Sequence, residues 1–265
     1  MIRMQQILCP VDFSEFSRRA LDHALAVART YGAGVTALHV LPAAPALSAV
    51  PYYFGAEVAP IALPAIDLAH VGAELRRFVE TERVPGIRVE TLVAEAPDTH
   101  REILVQADRL NADLIVLGTH GRSGFERLYL GSVAEKVLRQ ASTPVMTVPP
   151  HAPDAMPRGP AAFTRILCPI DFSDCSRLAL DYALSLAREN HAALTLAHVL
   201  ETHPLYADFA PAAAIDLDAW SRQARARLNA MVPDPVRACC TIAEIVHEGK
   251  PHREFSNWRR PWTWI

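Results

Sequence analysis

Asp113-Leu-Ile-Val-Leu-Gly-Thr-His-Gly-Arg-Ser-Gly-Phe-Glu-Arg-Leu-Tyr-Leu-Gly-Ser-Val133 is the stretch that decides the fold. Leu114 to Leu117 is a short apolar run bounded by turn-formers, the pattern of a fully buried strand. Gly118 stops it, Gly121 and Gly124 follow, and Gly131-Ser132 opens a helical pattern through Val133, Val137 and Leu138. Glycine permits positive φ and lets a ligand approach the backbone without a Cβ in the way. A helix N-terminus with unpaired N–H groups and a Ser hydroxyl is an anion site. Taken alone, the stretch supports two readings equally: glycines that serve tight turns, and a phosphate cradle at the carboxyl end of a parallel strand.

The residues before it choose between them. Gln6 to Val11 reads as a strand running into Asp12-Phe13-Ser14, with Ser14 placed to cap a helix. Ala20, Leu21, Ala24, Leu25 and Ala28 share one face of that helix, and Gly32 ends it. Val35 to Val40 is the next strand, so the first forty residues form a βαβ unit with parallel strands. Asp67 to Arg83 reads as a second helix, Arg88 to Val93 as a third strand and His100 to Leu110 as a third helix. A helix to about Gln140 and a fifth strand, Pro144 to Val148, follow the glycine stretch. This is an open, doubly wound α/β domain with a parallel five-stranded sheet, of Rossmann-like type. Ligands in such sheets sit at the carboxyl ends of strands, where the strand order reverses. Asp12, Val40 and Gly118 are all expected at such ends, which favours the cradle. Residues 42–64, rich in Pro and Ala, leave the same rim and read either as a partial lid or as a surface loop.

After a Pro-rich linker, 149–162, the chain repeats itself. Ile166-Leu-Cys-Pro-Ile-Asp-Phe-Ser restates Ile7-Leu-Cys-Pro-Val-Asp-Phe-Ser, and 21 of the 35 positions from Ile7 to Leu41 are identical in Ile166 to Leu200. A gapless repeat of this length marks a duplicated domain. The expected division is 1–148, the linker 149–162, and 163–265. The second copy is truncated. Asp216 to Met231 supplies a second helix and Thr241 to Val246 a third strand, and His252-Arg253-Glu254 echoes His100-Arg101-Glu102. Nothing after it corresponds to Leu114–Val148. Three of the four Trp residues crowd into the last eight positions, which reads as a truncation, with a partner- or membrane-docking tail as the competing reading.

Bulk properties narrow the function classes. A hydrophobic fraction of 51% with 21% charged residues is globular. A net charge of −3 gives no global field for nucleic acid or an anionic membrane. No apolar run reaches the ~18 residues of a membrane span, and the N-terminus lacks a signal-peptide h-region. Five cysteines without a C-x-x-C pair read as buried thiols in a reducing cytoplasm. Eleven scattered His residues offer no zinc spacing.

Pro10-Val11-Asp12-Phe13-Ser14, the His39-Val40 strand end and the spaced Gly118, Gly121, Gly131-Ser132 together resemble the tandem universal stress proteins of the adenine-nucleotide α-hydrolase-like superfamily. The resemblance covers residues 1–148 and about two-thirds of a second domain. It implies an ATP site, alone or with Mg or Mn. Pro10, Val11, Asp12 and the backbone of Val40 match the family's adenine and ribose contacts. Gly118, His120, Gly121, Gly131, Ser132 and Val133 match its phosphate contacts, and Arg122 is close enough in sequence to add a charge-assisted one. In the second copy Asp171 and Val199 match the nucleoside end alone, so a single complete site is expected.

Three functions follow: an ATP-binding stress-response regulator, a slow ATP-hydrolysing enzyme, and a nucleotide-independent scaffold. No G-x-x-x-x-G-K-[ST] loop supplies a Lys to the phosphates, and Gly121-Arg-Ser-Gly-Phe is not a nucleophile elbow. No residue is therefore assigned a catalytic role. The fifth strand, Val145–Val148, would be a sheet edge needing cover, and pairing there between chains predicts a homo-oligomer, with neither nucleic acid nor membrane as partner.

Overall fold

A computed structural model of the chain describes residues 2–43, 67–80, 85–119, 130–150, 163–201 and 216–258. The expected lid, His120, Gly121, Arg122 and the tail beyond Trp258 lie outside them. The chain divides into two compact units, Met4–Arg158 and Gly159–Ile265, the latter with Met1–Arg3.

In the first unit strands β1 (Gln6–Pro10), β2 (Gly34–Pro42), β3 (Val89–Ala96), β4 (Leu114–Gly118) and β5 (Val145–Val148) alternate with helices α1 (Glu15–Tyr31), α2 (Leu68–Glu80), α3 (Thr99–Arg109) and α4 (Ser132–Gln140). All strands are parallel, in the order β3-β2-β1-β4-β5. The chain winds outward from β1 through β2 and β3, then returns to place β4 and β5 on its other side. The order therefore reverses between β1 and β4.

Local chemistry sets each element. The Ser14 hydroxyl accepts from the Ser17 amide at 3.1 Å and caps α1. Gly32 ends the helix at φ 66°, a left-handed position that glycine takes without Cβ strain. The expected stripe of Ala20, Leu21, Ala24, Leu25 and Ala28 is fully buried. Asp113 ties the sheet at its amino end, its carboxylate accepting from the Gln5 and Gln6 amides at 2.7 and 3.0 Å while its own amide donates to Gln6 at 2.8 Å. Where the sheet meets α3 and α4 the core is Leu8, Leu38, Ile103, Ala107, Ile115, Leu117 and Val137.

The second unit is a three-stranded parallel sheet, β6 (Arg165–Pro169), β7 (Ala193–Leu200) and β8 (Ile242–Glu248), in the order β6-β7-β8. Helices α5 (Asp174–Asn190), α6 (Leu217–Ala230), the short α7 (Asp234–Arg237) and α8 (Pro251–Trp258) accompany it. This is the duplicated fold with a truncated second copy.

Some expectations shift. β3 runs three residues and β8 two beyond their expected ends, because β2 and β7 continue to Pro42 and Leu200 and offer them a ladder that far. Val40 is therefore inside β2 rather than at its end. The reading of all cysteines as buried is overturned for three of them. Cys9 and Cys168 are buried in strands, but Cys175 and Cys239 are exposed and Cys240 is half-buried. Cys175 lies in the first turn of α5, where residues face solvent, and the other two sit in the turn after α7.

Candidate functional site

At the carboxyl rim of the first sheet, the reversal of strand order opens a crevice. β1 and β4 pair only at Ile7–Leu114 and Leu8–Ile115, so the two strands part before either ends. β4 stays paired to β5 as far as Gly118–Val148. The space left holds a cavity of about 380 Å³, lined by Pro10, Val11 and Asp12 from β1 and its turn, Val40 from β2, Gly118 from β4, and Gly131, Ser132 and Val133 at the start of α4. Eight of the eleven expected residues thus line one cavity.

A strained elbow shapes its β1 wall. Phe13 has φ 66°, a left-handed conformation that is uncommon for a bulky residue. Such a position costs about 1–3 kcal/mol and persists only where its surroundings hold it. Here the Phe13 ring packs on His39, centroids 4.4 Å apart, and edge-on to Phe78 at 5.6 Å. His39 Nδ1 lies 2.7 Å from the Val11 carbonyl; a carbonyl only accepts, so Nδ1 carries the proton. The elbow turns the chain away from the sheet at Asp12. The Asp12 carboxylate accepts from the Ser14 amide at 3.1 Å and from its hydroxyl at 2.5 Å, which fixes the side chain at the cavity's edge.

Val40 acquires its opportunity from β1's departure. The last β1 bond to β2 runs from the Val11 amide to the Leu38 carbonyl, 2.8 Å. Backbone groups two residues apart on a strand point the same way. The N–H and C=O of Val40 therefore face the side that β1 has left, the geometry needed to read a flat heteroaromatic edge.

The opposite wall is the start of α4. Gly131 is the N-cap at φ −67°, and no side chain caps the helix. The amides of Ser132, Val133 and Ala134 precede the first intrahelical bond, Glu135 N–H to Gly131 C=O at 2.9 Å. These orphan donors carry partial positive charge and favour an anion. Gly131 itself is extended, so of glycine's two uses this position draws on the close approach and not on a positive φ. Gly131 is held to β4's rim by its amide, which donates to the Thr119 carbonyl at 2.5 Å, and Thr119 in turn donates from its amide to Val148 at 3.1 Å.

Sequence reasoning missed Ser17, Leu38, His39, Thr99, Ile103, Leu117, Thr119 and Ala134, which also line the cavity. Ile103 and Leu117 read as core, which they also are. His39 carried a signal, since His39-Val40-Leu41 recurs as His198-Val199-Leu200. Its ring is buried and supports the elbow from behind.

The rim of the second unit repeats the elbow alone. Phe172 has φ 64° and packs on His198 at 4.6 Å, and His198 Nδ1 lies 2.7 Å from the Ile170 carbonyl. Asp171 accepts from the Ser173 hydroxyl at 2.6 Å and amide at 2.9 Å. Those bonds hold its carboxyl down at about 2, below the ordinary range. Among the described residues of this unit no strand lies beside β6 on the side where β4 lies in the first, and no groups of three or more His, Cys, Asp or Glu gather in either unit to hold a metal.

The profile of the Universal stress protein family matches residues 4–149 and again 162–257. Universal stress protein MJ0531 of Methanocaldococcus jannaschii is 33% identical over 153 residues, covering 54% of this chain and 81% of that one. Universal stress protein A homolog 1 of Coxiella burnetii is 32% identical over 146 residues, 54% of this chain and 95% of its own. The crystal structure of a universal stress protein from Archaeoglobus fulgidus superposes with a TM-score of 0.63 at 22% identity, over 98% of this chain and 84% of that one, a likeness of fold.

Proposed function

This chain belongs to the universal stress protein family, and we propose that it acts as an ATP-binding stress-response regulator whose nucleotide site is the cavity of the first unit. One observation carries the reading: a single cavity joins Asp12, the outward-facing backbone of Val40 and the uncapped start of α4. These supply, in order, an acceptor for ribose hydroxyls, a donor and an acceptor for an adenine edge, and amide donors for phosphate. The apolar side chains of Leu38, Ile103 and Leu117 give the base a surface on which to exclude water. His120, Gly121 and Arg122 complete the phosphate end in this proposal, with Mg or Mn as a companion ion. ATP, when bound, supplies the charge that α4's amides compensate, and its presence or absence sets which partners the surface accepts. The second unit, whose described residues hold the elbow without a counterpart of α4, binds nucleotide weakly or not at all.

Calorimetric titration with ATP tests this through a matched pair of variants. Asp12→Ala and Asp171→Ala remove the same serine-bonded carboxylate from the two elbows, so their structural costs are alike. A hydrogen bond to a charged group contributes about 1.5–3 kcal/mol, so Asp12→Ala is expected to weaken ATP binding about tenfold to a hundredfold and Asp171→Ala to leave it unchanged. Equal losses in both, or none in either, would refute the assignment.

We also propose that first units pair between chains along β5, the outermost strand of its sheet. Pro144 O accepts from Ile115 and Val148 O from Thr119, so by the alternation of backbone groups the N–H of Thr147 faces the open edge. Thr147→Pro removes that donor without touching the β4 ladder, a placement edges tolerate. Light scattering is expected to show a dimer becoming a monomer; an unchanged mass would exclude this edge.

A further inference from the structure

We propose that Cys239 and Cys240 form a chelating dithiol site for a trivalent arsenical. The pair follows α7, where the Val236 carbonyl accepts from the Cys239 amide at 3.2 Å, the Cys240 amide at 2.9 Å and the Cys239 thiol at 3.4 Å. This fold-back brings the two sulfurs to 3.4 Å. Cys239 is exposed and Cys240 half-buried, so a small molecule reaches both. The other three cysteines offer no comparable pair: Cys9 and Cys168 are buried in different units, and Cys175 stands alone at the start of α5.

The chemistry of two adjacent thiols selects the ligand. Soft thiolates prefer soft, thiol-seeking centres. A structural zinc needs four ligands, and among the described residues no third His, Cys, Asp or Glu joins the pair. Trivalent arsenic in an organic arsenical needs only two sulfurs, because it brings its own third substituent. Oxidation to a disulfide is the competing use of the pair, and geometry opposes it. Adjacent Cα atoms across a trans peptide are about 3.8 Å apart, short of the ~4.4 Å that unstrained disulfides require. Burial and the neighbouring thiol also push Cys240 up to about 11, so it is poor in the thiolate that attacks peroxides. Geometry thus disfavours closure of the pair on itself and leaves both sulfurs open to a bridging ligand.

With phenylarsine oxide the step balances without redox change. Each thiol gives its proton to the arsenical oxygen, which leaves as water; two As–S bonds replace the As–O bonding, and arsenic remains trivalent. Once the first As–S bond forms, the second sulfur is already within reach, so closure is intramolecular. Such linkage raises affinity by roughly 10²–10⁴-fold over a single contact. The bridged turn leads directly into β8 and would be stiffened by closure.

The test is mass spectrometry of the full chain after treatment with phenylarsine oxide and a wash in excess monothiol. Wild type is expected to keep one equivalent, located by peptide mapping at Cys239 and Cys240, and to release it to a dithiol competitor. Cys239→Ser and Cys240→Ser should each lower retention at least about a hundredfold, with far-UV dichroism confirming the fold, and Cys175→Ser should change nothing. Retention by the Cys239→Ser/Cys240→Ser double variant, mapping of the label elsewhere, or loss of the wild-type label to monothiol would each overturn the proposal.

Discussion

Residues 7–41 and 166–200 are close to the same sequence in two different settings. Both make the same elbow, down to a left-handed Phe, a His bonded to the strand-end carbonyl and a Ser capping the next helix. Their burial differs. On α1, which packs against β4 and β5 as well as β1, Ala20 and Val27 are 0 and 1% exposed. Their counterparts on α5, Ala179 and Leu186, are exposed and half-buried, and Leu178 is 60% exposed where α1 has Arg19. Local conformation is thus written within about 35 residues, whereas the core and the cavity need the strands that return on the far side of β1. The second copy, which shows no such strands among its described residues, keeps the turn all the same.

The comparison breaks most visibly at the core. Leu25 and Leu184 occupy matched positions at 0 and 9% exposure. Leu25→Ala is expected to cost about 2–5 kcal/mol, as buried leucine truncations do, and Leu184→Ala to fall at or below the bottom of that range because its surroundings are already open. Denaturant unfolding can separate the two. All four Trp residues lie from Trp220 onward, so Trp fluorescence reports the second unit alone, while far-UV dichroism reports both. Leu25→Ala should move the dichroism transition and leave the fluorescence midpoint in place. A fluorescence midpoint that moves with Leu25 would mean that the two units unfold as one.

Much of this was legible before any coordinates. Periodicity placed each strand and helix of the first sheet, because alternation of apolar runs with amphipathic stripes is a local signal. Eight residues that line the cavity were legible as well, since strand ends and a Gly-Ser helix start are marked by residue type. The elbow's strain was not, because nothing in Asp12-Phe13-Ser14 taken singly announces a positive φ at a Phe; its recurrence as Asp171-Phe172-Ser173 was the available clue. The backbone of Val40 came with the family resemblance, but that it is left open to the cavity depends on where β1 stops relative to β2, a matter of register. The thiol pair was read as buried because neighbours in sequence, Cys239 and Cys240, gave no sign of the turn that aims them outward. Residues that belong to core and cavity at once, such as Ile103 and Leu117, are indistinguishable by pattern from residues of core alone.

The caps sharpen the comparison at a smaller scale. Ser14→Ala and Ser173→Ala each remove an N-cap, worth about 1 kcal/mol, and should lower stability alike. Only Ser14→Ala should also weaken ATP binding, by a few-fold, because Ser14 orients Asp12 at the cavity's edge. Thermal unfolding with and without ATP checks both at once: the ligand-induced rise in Tm shrinks for Ser14→Ala and is unchanged for Ser173→Ala. A rise reduced equally in both variants would show that the cap, and not the aim of Asp12, governs binding.

The smallest effect is a titration. Asp171 is solvent-exposed, and the Ser173 hydroxyl and amide, which donate to it, hold its folded-state pKa at about 2. A carboxyl lowered from its ordinary value near 3.9 binds fewer protons folded than unfolded. Its stabilising contribution is therefore present above that ordinary value and is lost as pH falls toward 2. NMR of the Asp171 carboxyl carbon should follow this low titration in the wild type and a return toward the ordinary value in Ser173→Ala. Solvent screens an exposed group, so the stability change over the same interval is expected to be slight. The value of the measurement lies in the bond it reports: a carboxyl that titrates identically with and without the Ser173 hydroxyl is not held by it, and the elbow's resemblance between the two copies would then rest on the Phe–His pair alone.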